Sequence, residues 1–183
     1  MWANARAIHA EEGGDGRCLA AATILHDCVS LEKDSPDRAQ GSRLAAKKAA
    51  EVLTELDWGA AEIDRVSHAV VAHSFSANIT PDTIEAKTLQ DADRLDAIGL
   101  VGVARCFYVA GRMGSGLYDA ADPRAKDRDL DDRAFAIDHF ETKLLKLASG
   151  FQTTTGAAMA QARHAELQRF LDGFLAEIGS VPR

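Results

Sequence analysis

The sequence has 183 residues, 46% of them apolar and 27% charged, which suits one soluble globular domain with a single sizeable core. A formal charge of −7 leaves no basic stripe, so binding of a nucleic-acid duplex is excluded as the main role, and a polyanionic substrate needs a locally positive site or a cation. No apolar run approaches the roughly 18 residues that span a bilayer and no signal peptide opens the chain, so a cytoplasmic protein without a membrane partner is expected.

From Met1 to about Glu12 an alanine-rich helix is predicted, ended by Gly13-Gly14, with Trp2, Ala5 and His9 on one face. His9 reads as a packed helix residue. Residues 17–29 give a second helix, apolar nearly all round and therefore expected to be buried, with His26-Asp27 at its C-terminal end. Neighbouring side chains diverge by only about 100° on a helix, so both members of that pair can reach one point. Cys18, Cys28 and Cys106 are too few and too irregularly spaced for a disulfide framework and read as reduced core thiols.

A polar connection, 30–41, contains Lys33-Asp34-Ser35-Pro36, where Ser35 can cap a helix and Pro36 occupy its first turn. Amphipathic helices follow over 42–56 and 60–73, the second bearing His68 and His73. Five residues apart, these two histidines differ by about 140° and cannot both aim squarely at one point.

After a connection around Pro81, a helix is predicted through Leu89-Gln90-Asp91-Ala92-Asp93-Arg94-Leu95-Asp96 to about Ala110. With Leu89 at zero, Asp93 and Asp96 fall within roughly 60° of the apolar stripe, whereas Asp91 falls near 200°, on the far side. A single core-facing carboxylate can be a structural acceptor; two beside a buried His-Asp pair equally suit a cation.

Residues 111–132 have three glycines, one proline and charges of both signs, which fits either a lid or a solvated excursion. From about Asp131 a helix is predicted with Ile137, Phe140, Leu144, Leu147 and Phe151 on one stripe and His139, Lys143 and Lys146 opposite. Met159, Phe170, Phe174 and Ile178 mark a last amphipathic helix that ends at Gly179. No period-two pattern survives, so the fold is expected to be all-α.

Taken together, Leu25-His26-Asp27, Lys33-Asp34-Ser35-Pro36, the stretch from His68 to Ser76, Gln90 to Gly99, and Asp138 to Lys146 resemble the small stand-alone bacterial HD-domain phosphohydrolases. The resemblance runs from Trp2 to about Arg163 and implies an all-α, single-domain HD-type bundle over 1–183. It implies that His26, Asp27 and Asp93 bind a divalent cation, manganese (Mn) or magnesium (Mg), which activates water and polarises a phosphoryl oxygen. Asp27 would also orient the attacking water, with His73 beside the substrate as a second catalytic group and Asp96 supporting a ligand from behind. Lys33, His68, Arg94, His139 and Lys143 would meet the substrate's phosphates.

The implied reaction is hydrolysis of a nucleotide phosphoester or phosphoanhydride, of the triphosphate pyrophosphohydrolase or nucleotidase type. The alternative is a non-catalytic helical binding protein that keeps a degraded HD site. A small nucleotide or phosphate ester is the expected partner, and a homodimer is compatible with the family. HD sites draw a further histidine from the first helix; against that pattern it would lie about four residues, one helical turn, upstream of Met1. That places it outside this sequence, so either a shortened start with weak metal binding or a three-ligand site is expected.

Overall fold

A computed structural model of the chain describes residues 1–29, 40–74 and 77–179, and the Lys33-Asp34-Ser35-Pro36 segment, with Ser76, lies outside them. The described residues form α1 (Trp2–Glu12), α2 (Gly16–Leu25), α3 (Gly41–Glu55), α4 (Ala60–Ala72), α5 (Ile84–Leu95), α6 (Gly99–Met113), α7 (Asp138–Thr142), a 3-10 turn (Leu144–Lys146) and α8 (Thr154–Glu177). Among them there is no strand, only an isolated bridge between Gly116 and Phe135, so the fold is all-α. No described helix is long and apolar enough to cross a membrane. The chain divides into two compact units, residues 1–93 with 151–156, and 94–150 with 157–183.

In the first unit α1 buries Asn4, Ala5 and Ile8, and Gly13, at φ 77°, ends the helix as its composition predicts. The face expected from Trp2, Ala5 and His9 is therefore rotated, and Trp2 is exposed. Asp15 caps α2 by accepting from the backbone N–H groups of Arg17 (2.9 Å) and Cys18 (3.0 Å), which satisfies donors that the first turn cannot use itself. α3 and α4 pack along each other, and α4 also meets α2. Ala45, Ala46 and Ala49 on α3 and Ala69 and Ala72 on α4 are all buried, and small side chains let the two backbones approach closely.

α5 is buried on nearly every side, although it is among the more polar helices of the chain. Ala86, Leu89, Ala92 and Leu95 are inside, and so are Glu85, Thr88, Gln90 and Asp91. Three of these polar side chains tie other segments to the helix. Glu85 accepts from the Asp15 N–H at 2.6 Å, and Gln90 donates to the Ala72 carbonyl at 2.8 Å. Asp91 accepts from the N–H groups of Gln152 and Thr153, both at 2.8 Å, and from the Thr153 hydroxyl at 2.7 Å. Thr153 in turn accepts from the Gly156 N–H at 2.9 Å, capping α8. A Cβ on Gly156 would collide with the Asp91 carboxylate, so this close approach needs glycine.

Here the sequence expectation is corrected. Asp91, predicted to point away from the core, is 0% exposed, while Asp93 and Asp96 are half-buried. The predicted helix through to Ala110 breaks after Leu95, and α6 restarts at Gly99 with φ 72°, a left-handed residue that interrupts the phase. The break voids the phase only from Asp96 onward; Asp91 lies within α5, which is buried on nearly every side and so gives it no solvent face to point to.

In the second unit an aromatic cluster joins Phe107, Tyr118, Phe140, Phe170 and Phe174, with Phe140 and Phe170 stacked at 5.8 Å. Leu167, Leu171 and Leu175 are the fully buried line of α8, rather than the predicted Met159, Phe170, Phe174 and Ile178, which are half-buried. The helix expected from Asp131 shrinks to α7 and the 3-10 turn. The segment after Gly114 is closed at its neck: the Gly116 N–H donates to the Ala134 carbonyl and the Ala136 N–H to the Gly116 carbonyl, both at 2.9 Å. Inside it Arg128 grips the buried Asp138 with two hydrogen bonds, 2.6 and 2.9 Å.

Candidate metal centre

His26 and His73 occupy equivalent places, each as the C-cap residue that follows an apolar helical run, Ala22-Thr23-Ile24-Leu25 on α2 and Ala69-Val70-Val71-Ala72 on α4. Each ring is fixed by its own helix. Nδ1 of His26 lies 2.9 Å from the Thr23 carbonyl oxygen and Nδ1 of His73 lies 2.6 Å from that of Val70. A carbonyl only accepts, so these bonds assign the proton of each neutral ring to Nδ1 and leave Nε2 as an open lone pair. That is the arrangement in which an imidazole ligates a metal while its second nitrogen is held from behind.

The two Nε2 atoms face the Asp27 carboxylate. His26 Nε2 is 3.4 Å from one oxygen and His73 Nε2 is 3.7 Å from the other, and the rings meet edge to face at 5.1 Å. Metal–ligand bonds of about 2.1 Å put two ligands of one ion at most about 4.2 Å apart, so both separations suit a shared cation. The three donors lie within 4.8 Å of one another. His73 is nearly buried at 7% exposure, whereas Asp27 is 75% exposed, so the carboxylate sits on the solvent side. A mixed set of two imidazoles and one carboxylate fits a divalent transition ion.

The remaining expected site residues are dispersed. Asp93 sits half-buried on α5 beside Ala92, whose carbonyl accepts from Asn4, and is outside the trio. His68 accepts from the Asp82 N–H through Nε2 at 3.1 Å, tying α4 to the start of the α5 segment. In the second unit Arg94 donates to the carbonyls of Leu147, Ser149 and Gly150, and the Asp96 carbonyl accepts from Arg105. His139 and Lys143 line a cleft of that unit. Lys33 lies outside the described residues.

The sequence reading put His73 beside the substrate and not among the metal donors. Its signal was available: the same helix-ending position after an apolar run that singles out His26. Gln90 and Glu85 were missed altogether, though Gln90 holds the carbonyl just before His73 and Glu85 holds the N–H of the residue that caps α2. Cys18 and Cys106 are buried, and burial pushes both thiols up to about 11; Cys28, expected in the core, is exposed.

The HD domain family model matches residues 1–98. The uncharacterized protein YpgQ of Bacillus subtilis is 34% identical over 168 residues, covering 90% of this chain and 74% of the relative. The chain belongs to the HD domain family. Among solved structures, an HD-superfamily hydrolase from Bacillus thuringiensis matches with a TM-score of 0.74 and 31% identity, covering 98% of this chain and 82% of that one. A crystal structure of YpgQ in complex with ADP matches with a TM-score of 0.72 and 34% identity, covering 96% and 84%. The all-α architecture is thus that of HD-superfamily hydrolases.

Proposed function

We propose that this HD protein is a divalent-metal-dependent phosphohydrolase whose substrate is a nucleotide phosphoester or phosphoanhydride, with residues 1–183 acting as one enzyme. The observation that carries the reading is the convergence of two open Nε2 lone pairs on the exposed Asp27 carboxylate. The complex of the relative YpgQ with ADP supports a nucleotide as the ligand. His26, Asp27 and His73 would hold the ion, and the imidazoles favour manganese over magnesium, which prefers an all-oxygen shell. The bound ion would supply Lewis-acid activation of water and of the phosphoryl group. Asp27, open to solvent, would accept a hydrogen bond from the attacking water and orient it, while the carbonyls of Thr23 and Val70 keep both rings in the ligating tautomer. Asp93 remains a further proposed ligand, drawn from the family motif.

The test is a manganese titration of the whole chain, followed by phosphate or pyrophosphate release from a nucleotide panel. About one ion per chain is expected. His26→Ala, Asp27→Ala and His73→Ala should each weaken binding at least about tenfold and remove turnover. No manganese uptake together with no release from any nucleotide would overturn the reading in favour of a non-catalytic HD scaffold.

A further inference from the structure

α6 is apolar on two sides, and only one of them is covered. Val103, Cys106 and Ala110 are buried. On the other side Leu100, Val101 and Tyr108 are 61%, 58% and 66% exposed, and Val109 and Met113 are exposed as well. Five of the eleven large apolar side chains exposed among the described residues thus sit on this one helix. Apolar side chains scattered singly over a surface need no explanation, whereas a contiguous group marks a contact surface.

The group is contiguous. At roughly 100° per residue, Leu100, Ala104, Tyr108 and Val101 fall within about 100° of one another, and Arg112 and Arg105 follow on one flank within about 40° more. From Leu100 to Arg112 the stripe runs for about 18 Å. Ala104 is exposed and a Cβ on Gly111 would meet only open space, so a second helix can come close. Protein interfaces are enriched in Tyr, Met and Arg and depleted of Lys, Asp and Glu; α6 carries Tyr108, Met113, Arg105 and Arg112, with neither a lysine nor a carboxylate.

The charge decides what can cover this face. Arg112 lies over the Tyr108 ring at 5.9 Å and Arg105 donates to the Asp96 carbonyl at 3.4 Å, contacts that neutralise neither guanidinium. A second copy of the chain would meet the stripe with the same stripe, because a two-fold contact uses one patch on both subunits, and so set arginine against arginine with no anion between them. An anionic bilayer attracts the stripe but repels a chain whose formal charge is −7. A protein helix with apolar residues on one side and carboxylates beside them matches both the stripe and its charge.

We propose that the exposed face of α6 docks an acidic amphipathic helix of another protein, with the partner's apolar residues on Leu100, Val101 and Tyr108 and its carboxylates toward Arg105 and Arg112. The inference does not rest on the metal centre, with which this face shares no residue.

Fluorescence anisotropy of the full chain with two dye-labelled synthetic helices tests it, both with a leucine stripe and one with glutamate, the other with lysine, on the remaining positions. The glutamate helix should bind at one per chain, and the lysine helix at least tenfold more weakly. Val101→Glu and Tyr108→Glu, at exposed positions that do not threaten the fold, should each lose at least tenfold for the glutamate helix. The double variant Arg105→Glu/Arg112→Glu should reverse the preference, and His26→Ala should change nothing. The proposal is overturned if neither helix binds, if both bind alike, or if the face variants bind like the native chain. Two further measurements address the rival occupants. A native dimer in sedimentation that Tyr108→Glu makes monomeric would give the face to a second copy, and pelleting with phosphatidylglycerol vesicles that Tyr108→Glu abolishes would give it to a lipid surface; either result overturns the proposal.

Discussion

α2 and α5 invert what their compositions suggest. α2 is apolar over nearly its whole length, yet Ile24, two residues before His26, is 78% exposed. α5 carries Glu85, Gln90 and Asp91 and buries all three. The difference lies in hydrogen-bond partners. An exposed isoleucine forgoes only its own transfer free energy, about 1.5–3 kcal/mol, whereas a buried polar group is tolerated where its partners are built in. α5 has them in the ends of other segments, so its polar residues act as clamps. The α4 terminus that presents His73 and the cap of the helix that presents His26-Asp27 are both held from α5.

Breaking the strongest clamp should have the largest effect. Asp91→Ala strands the buried Thr153 N–H and hydroxyl and takes the acceptor from the part-buried Gln152 N–H, at about 1–3 kcal/mol for each unsatisfied buried group; a loss of at least about 3 kcal/mol is expected in urea unfolding. Manganese binding should fail only as far as unfolding does. Asp93→Ala should behave oppositely, weakening the metal with the unfolding midpoint retained. A loss below about 1 kcal/mol for Asp91→Ala would show that α5 is not held as described.

Gln90→Leu should come next. It keeps the volume but leaves the Ala72 carbonyl without its side-chain donor, for about 1–2 kcal/mol. Because that carbonyl ends the helix turn from which His73 emerges, manganese affinity should fall as well, and unchanged affinity would separate the clamp from the site.

At the α2 end, Asp15→Ala should cost about 1 kcal/mol as a lost helix cap. The sign of its pH dependence is set by the Cys18 N–H, the largest influence that holds the Asp15 carboxyl below its ordinary value. A lowered folded pKa means that the cap's stabilisation is complete above the unfolded value, about 3.9, and is lost as pH falls through the folded one. The variant should therefore lose less stability than the native chain between about pH 5 and pH 3. Smallest of all, Ile24→Ser should stay within about 0.5 kcal/mol, since the side chain is already in water.

How legible this was in the sequence follows from the same contrast. Helix existence was readable wherever glycine, proline or a cap closed an apolar period, as at Gly13 and around Pro81. His26-Asp27 stood out because ionisable residues end an apolar run. The facing of α5 was not readable, because a period locates one apolar stripe and α5 is buried on nearly every side. What decides it, the N–H groups of Gln152 and Thr153, lies about sixty residues further on. His73 was half-readable: its place at the end of an apolar run stood in the sequence, but its meeting with His26-Asp27 is set by the packing of α4 against α2, which no local spacing encodes.

The unequal burial of the three thiols has a practical consequence. With Cys18 and Cys106 pushed up to about 11, almost none of either is thiolate at neutral pH, while Cys28 is open to solvent one residue after Asp27. A maleimide dye or nitroxide should therefore attach once per native chain, at Cys28, without any cysteine being engineered away. Paramagnetic manganese between His26 and His73 would then quench the dye or broaden the nitroxide spectrum, so the native sequence already carries a spectroscopic handle beside its proposed ion.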